Sequence, residues 1–271
     1  MIIKVALVQL TSTADMAENI AGIEAFVAKA AGQGAELVAL PENAFYMRAE
    51  GEAPAPRYTQ EEHPGVVASA KMARQRGIWL LAGSVAVIGK SVDHKTYNRS
   101  LLFNPEGRIA AQYDKIHLFD VDVGDGQAYK ESAKMLPGEK AVVAELPWCR
   151  LGMTICYDLR FPQLYRALAK AGAQILAVPS AFTQTTGEAH WHVLLRARAI
   201  ENACFVIAPA QTGTHPGGRK TYGHSLVVDP WGKVLADGGT EEGVILAEVD
   251  LDEVGRVRAK LPSLEHDREF Q

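Results

Sequence analysis

Along this 271-residue chain, largely apolar runs alternate with stretches whose apolar residues recur at every third or fourth position. The runs at 1–10, 35–40, 78–87, 142–146, 151–155, 173–178, 204–208 and 244–249 predict strands, and strands apolar throughout are covered on both faces. The recurring pattern predicts helices at 15–31 (Ile20, Ile23, Phe26, Val27), at 65–76, from Pro162 onward (Leu164, Tyr165, Leu168, Ala169), at 187–202 and at 251–260. Local signals agree. Asp15 and Glu18 have capping-box spacing, Gly32, Gly34 and Gly77 stop helices, and Pro162 suits a first helical turn. Two hairpins are expected, 96–103 with 108–113 and 226–229 with 234–236. Prolines at 54, 56 and 64 make 50–64 a surface loop, and 120–138 reads as a long loop of the kind that serves function.

The chain also repeats itself. Thr96, Tyr97, Ser100, Leu101, Pro105 and Gly107 align without a gap with Thr221, Tyr222, Ser225, Leu226, Pro230 and Gly232. Likewise Gly34, Ala35, Leu37, Ala39 and Pro41 align with Gly172, Ala173, Ile175, Ala177 and Pro179. Each half then forms one sheet with helices on one face. Packing the two sheets together with helices outside covers every apolar face, so the expected fold is an α/β, four-layer α-β-β-α sandwich forming one domain over 1–271.

Composition narrows the function. A net charge of -4 carries no nucleic-acid footprint, and no apolar run approaches membrane-spanning length. The apolar start lacks the charged region and cleavage site of a signal peptide. Cys149, Cys156 and Cys204 are odd in number and without metal-site spacing, which points to a reducing cytoplasm and to no metal or organic cofactor.

Three polar residues stand at strand ends or hairpin exits. Cys156 ends the 151–155 run just before a helix start, where free N–H groups favour a thiolate; Glu42 ends the 35–40 run; Lys115 follows the first hairpin. Singly, a cysteine is an ordinary core residue, a strand-end glutamate is a solvated cap, and a lysine is a surface charge. Together, thiol, carboxylate and ammonium are what amide hydrolysis through a thioester requires: a nucleophile, a proton carrier and an oxyanion donor.

The ordered segments Pro41-Glu42-Asn43, Asp114-Lys115-Ile116-His117-Leu118 and Cys156-Tyr157-Asp158-Leu159-Arg160-Phe161-Pro162 resemble the nitrilase superfamily, the carbon-nitrogen hydrolases, over nearly the whole chain. That resemblance implies the same sandwich, a Glu42 base, a Lys115 oxyanion donor, a Cys156 nucleophile, and dimers or larger homo-oligomers. It also implies a second glutamate at Glu131 and a second oxyanion donor in the Tyr157 backbone N–H. The segments 179–182, 187–201 and 222–225 look most like the Nit branch and its deaminated-glutathione amidases, with Gln163 standing where that branch usually has Glu. The implied reaction turns a small carboxylate-bearing amide into acid and ammonia, with ω-amides of α-keto acids such as α-ketoglutaramate as the alternative substrates. A nitrile or N-carbamoyl hydrolase would share the same residues, and an interaction protein on this fold would not need to keep them.

A substrate carboxylate calls for a fixed cation. Arg160, with His190 beside it, is the first expectation, and the Arg219-Lys220 pair is the second; an ion pair with Asp158 is the structural alternative for Arg160. His190 and His192 diverge at helical spacing and make no metal pair, whereas Arg198 and Glu201 are spaced for a structural ion pair. The Asn98-Arg99-Ser100 sequon is a chance match.

Overall fold

The apolar runs become the central strands of two sheets in a computed structural model, which describes residues 1–48, 56–89, 95–124 and 128–268. The first half runs β1 (Ile2–Gln9), α1 (Met16–Gly32), β2 (Leu37–Ala39), α2 (Pro64–Arg76), β3 (Trp79–Leu81), β4 (Val85–Ile88), β5 (Thr96–Phe103) and β6 (Ile109–Asp114). An excursion comes next, made of β7 (Asp120–Asp122), β8 (Ala128–Lys130), a 3-10 turn at Glu131–Ala133 and β9 (Met135–Leu136). The second half begins with β10 (Val142–Glu145), β11 (Arg150–Met153), α3 (Pro162–Lys170), β12 (Ile175–Ala177), α4 (Gln184–Asn202) and β13 (Phe205–Ala208). It continues through β14 (Thr212–Thr214), β15 (Lys220–Tyr222), β16 (Leu226–Val228) and β17 (Val234–Asp237), then closes with β18 (Gly243–Asp250) and α5 (Asp252–Lys260).

The repeat reappears as matching topology. The path β18-β1-β2-β3-β5-β6 and the path β10-β11-β12-β13-β16-β17 share the same sequence of pairings: antiparallel, parallel, parallel, antiparallel, antiparallel. Even the hairpin turns agree. Gly107 N–H donates to Asn104 O at 2.8 Å and Gly232 N–H to Asp229 O at 2.9 Å, both glycines lie at positive φ, and each hairpin carries a register shift before its turn.

Side-chain alternation builds the layers. Ile3, Val5 and Leu7 of β1 pack in one core with Leu151, Ile175 and Phe205 of the second sheet. Ala6 and Val8 face the other way, onto Ile23 and Val27 of α1 and Met72 of α2. Leu164, Tyr165 and Leu168 of α3 and Trp191 and Leu195 of α4 cover the second sheet. The result is the α-β-β-α sandwich.

Two expectations need correction, and one pairing is new. The 78–87 run is two strands, because Gly83 takes φ 61° against the Pro41 carbonyl, where an added Cβ would lie 1.9 Å from the oxygen. The 120–138 segment is no structureless loop: β7 pairs with β8 and β9 joins the first sheet beside β5. The pairing of β14 with β15 is an addition to the expected elements, since its short polar strands offer no apolar period. Of the 50–64 loop, residues 50–55 lie outside those described.

Two histidines are buried as neutral rings. His63 Nδ1 accepts from Gly65 N–H at 3.1 Å as the cap of α2, and His215 lies between Ser12 O at 3.0 Å and Thr221 Oγ1 at 2.7 Å. Burial lowers each to about 4. From the ordinary value of 6.5 down to about 4, the unfolded chain therefore binds protons that the folded chain refuses. Stability contributed by the neutral rings is present above pH 6.5 and is lost across that window, by up to about 1.4 kcal/mol per pH unit for each ring. Urea unfolding between pH 7 and 4 should show a shallower acid decline in a His63→Asn/His215→Gln variant, in which Asn retains a capping acceptor; an unchanged slope would exclude both rings as its source.

Candidate active site

Five of the expected residues, Glu42, Lys115, Glu131, Cys156 and Tyr157, line one cavity of about 170 Å³, and Arg219 joins them. Glu42 stands three residues beyond β2, Lys115 one beyond β6, Glu131 at the start of the 3-10 turn after β8, and Cys156 three beyond β11. Each is held by backbone. Cys156 N–H donates to Pro179 O at 3.0 Å, Lys115 N–H to Asn98 O at 2.9 Å, and Gln211 Nε2 to Glu42 O at 3.0 Å. Cys156 takes φ 46° and Asn43, next to Glu42, takes φ 57°, left-handed conformations that L residues rarely adopt and that cluster at functional sites.

Lys115 is 2% exposed, and its ammonium lies between two carboxylates. Nζ is 2.9 Å from Glu42 Oε1 and 2.9 Å from Glu131 Oε2. Asn98 Nδ2 also bridges the acids, at 3.0 Å to Glu42 and 3.1 Å to Glu131, while Ala181 N–H donates to Glu42 Oε2 and Phe119 N–H to Glu131 Oε2. Burial alone would neutralise such charges. Against it, Glu131 and Glu42 hold Lys115 well above the ordinary ammonium value, and Lys115 holds Glu42 below the ordinary carboxylate value.

The thiol behaves otherwise. Burial, and then the neighbouring Glu42 carboxylate, push Cys156 far up, so the resting sulfur is a protonated thiol. This corrects the thiolate expected from a helix start. Cys156 opens only a single 3-10 turn, Cys156–Arg160, with α3 beginning at Pro162, and the dipole of that turn does not offset the adjacent anion.

Asp158 fixes the thiol turn against Lys115. Fully buried, it accepts from Ile155 N–H at 2.9 Å, from Tyr113 Oη at 2.7 Å, and from His117 N–H at 3.0 Å, with His117 Nδ1 at 2.7 Å. Tyr113 and His117 flank Lys115, so one carboxylate sets the register between the thiol turn and the ammonium.

Arg160 and His190 do not line the cavity. Asp158 is taken by His117, so Arg160 lies instead over the rings of Phe182 and Tyr157, 3.3 Å from His190 Nδ1. His192 points away from His190, toward Asp237 and His224, where three metal-capable atoms lie within 4.8 Å of one another and the carboxylate bonds to both rings. Arg198 pairs with Glu201 at 2.9 Å and donates to Leu159 O. The Tyr157 N–H opens the 3-10 turn at the cavity wall, a position with no partner inside the turn. Sequence reasoning missed Asn98, whose signal was its place on the strand just before Lys115's hairpin exit, and it passed over Ala181, which acts only through its backbone.

Residues 4–259 match the model of the family described as Carbon-nitrogen hydrolase. Over 269 residues the chain is 44% identical to a deaminated glutathione amidase of Synechocystis sp. (strain PCC 6803 / GT-S), covering 96% of each. It is 37% identical over 263 residues to the human omega-amidase NIT2, covering 96% of this chain and 92% of the relative. A solved structure of a Glu-to-Gln variant of the amidase from Nesterenkonia sp. AN1, with acrylamide added at its active site cysteine, matches with TM-score 0.78 and 28% identity. That match covers 96% of this chain and 98% of the other.

Removing the Lys115 ammonium leaves two buried carboxylates without their cation. Lys115→Met should lose about 3–5 kcal/mol of stability, and adding Glu131→Gln should restore part of it without restoring the roughly hundred- to thousandfold of turnover lost with one oxyanion donor. Urea titration and turnover measured on both variants check this, and wild-type stability in the single variant would contradict the buried charge cluster.

Proposed function

The chain belongs to the carbon-nitrogen hydrolase family, and from that premise we propose that it is a cysteine amidase acting on deaminated glutathione. The observation that carries the reading is the convergence of thiol, ammonium and two carboxylates on one cavity, in a chain alike end to end to an amidase of that name. Cys156 Sγ attacks the amide carbonyl while Glu42 takes the thiol proton. The oxyanion is received by the Lys115 ammonium, which Glu42 and Glu131 keep charged, and by the Tyr157 N–H. Collapse breaks the carbon-nitrogen bond, Glu42 returns its proton to the departing nitrogen, and a thioester remains. Water, deprotonated by Glu42, then releases the acid and the thiol. Glu131 keeps Lys115 charged and in place.

The departing group needs correcting from ammonia alone. In a deaminated peptide the amide nitrogen carries the rest of the chain and leaves as an amine; ammonia leaves only from a primary amide such as α-ketoglutaramate. The ω-amidase reading is less favoured, resting on 37% identity against 44%.

The catalytic domain of this reading spans the whole chain, working as a homo-oligomer in a reducing cytoplasm. Exposed Val193 and Ile200 on α4, with Trp231 beside them, support self-association, and three free cysteines support the compartment. Among the described residues no helix is long and apolar enough to cross a membrane.

Cys156→Ala should abolish turnover of deaminated glutathione, whereas Cys149→Ala and Cys204→Ala should keep most of it. Those two thiols lie outside the cavity, and burial pushes them up to about 12 and about 11. Acid release followed by chromatography serves every amide tested. A wild-type rate in the Cys156 variant would end the mechanism, and faster turnover of a neutral amide or a nitrile than of either carboxylated amide would end the substrate assignment.

A further inference from the structure

The cavity holds a second, partly buried cation, within electrostatic reach of Glu42 but with a donor left open. Of the four basic side chains that line it, Lys115 is neutralised by Glu42 and Glu131, while Lys130 and Lys134 are exposed to water. Arg219 is different. It is partly buried, its guanidinium lies 5.5 Å from the centre of the Tyr129 ring, and its Nη2 donates to Ala181 O at 2.8 Å. Its Nε is buried and has no hydrogen-bond partner, and among the described residues no carboxylate pairs with it. A planar guanidinium offers five N–H donors in a fork matched to a carboxylate, and a buried donor left unpaired is unfavourable until a partner arrives. The ring beneath it and the bond to Ala181 hold the fork in place beforehand.

Resting on the amidase reading, we propose that Arg219 is the residue that receives the substrate's acyl-side carboxylate and so sets the preference for a carboxylated over a neutral acyl chain. Ala181 sets the spacing. Its N–H holds the Glu42 carboxylate at 3.0 Å and its carbonyl holds Arg219, so a single residue separates the proton carrier from the cation. An acyl chain of a few carbons bridges the two, with its carbonyl at Cys156 and its carboxylate at Arg219. The nitrogen substituent then lies toward the cavity mouth. Arg160, the first expectation for this role, lies outside the cavity against His190, and Lys220 is exposed.

The test compares two amides of equal chain length, glutaramate with its terminal carboxylate and neutral valeramide, on wild type, Arg219→Lys and Arg219→Gln. The ratio of their kcat/KM values should fall roughly ten- to a hundredfold in Arg219→Gln, chiefly through the KM of glutaramate, and less in Arg219→Lys. An equal fall for both amides would overturn the proposal, because Arg219 would then act only by holding Ala181 and thereby Glu42. An unchanged ratio would overturn it as well. Glutarate, which has the carboxylate but no bond to cleave, should raise the Tm of Cys156→Ala and not that of Cys156→Ala/Arg219→Gln. Arg219-dependent glutarate binding in a protein that hydrolyses no amide would sink the amidase reading and leave the anion site standing. Glutarate stabilisation that survives without Arg219 would sink the anion site.

Discussion

Lys115 is a charge taken out of water, and a buried ammonium persists only with anions fixed around it. Much of the surrounding chain serves that requirement. Glu42 is presented by the end of β2 and locked from the second half by Ala181 and Gln211. Glu131 arrives on the excursion between the halves, with Asn98 and the Phe119 N–H aiming it. The excursion therefore supplies the second anion, without which one carboxylate would face both the ammonium and the nucleophile. Asp158 then ties the Cys156 turn to the residues on either side of Lys115.

This arrangement explains why the thiol rests protonated. Glu42, Glu131 and Lys115 together carry one negative charge, and a thiolate would add a second in a site with little water to screen it. In the proposed mechanism, transfer of the proton to Glu42 during attack avoids that. The tetrahedral state again carries one negative charge, now with Glu42 neutral and the oxyanion beside Lys115, and departure of the nitrogen with the proton restores the first distribution. At no step must the buried site hold an extra charge. A permanently ionised cysteine would be the poorer partner for this cluster, whatever a helix start contributes.

The sandwich was legible because its causes are local and repeated: apolar runs, helical spacing, and two segments that align with each other. Glu42, Lys115 and Cys156 were legible as residues at the ends of such elements. The features that escaped depend on tertiary placement. Gly83 breaks a strand because of a carbonyl that arrives from Pro41, and the pairing of β7 with β8 is built of residues with no apolar period. Arg160 shares its turn with Cys156 yet points onto Phe182, because the neighbouring Asp158 is already filled by His117, Tyr113 and Ile155. Arg219 was only the second candidate cation, because it lies far from Cys156 in sequence and reaches the cavity through the packing of its loop on Ala181.

Two matching halves could in principle make two sites, and the register shows why there is one. Val5 and Leu151 occupy equivalent positions, opposite Leu37 and Ile175 on the neighbouring parallel strands, so Cys156 falls where the first half has buried Leu10. Glu42 falls where the second half has Ser180, because both follow the repeated proline. Each half therefore lacks what the other provides. In the proposed mechanism the first half contributes base and ammonium, the excursion the second carboxylate, and the second half the nucleophile, the Tyr157 and Ala181 amides and Arg219. Bond making needs the two sheets in contact, which makes the inter-sheet core formed by Leu7, Leu37, Leu151 and Ile175 the structure that sets the distance between sulfur and carboxylate. A void opened there would act on turnover by separating reacting groups that it never touches.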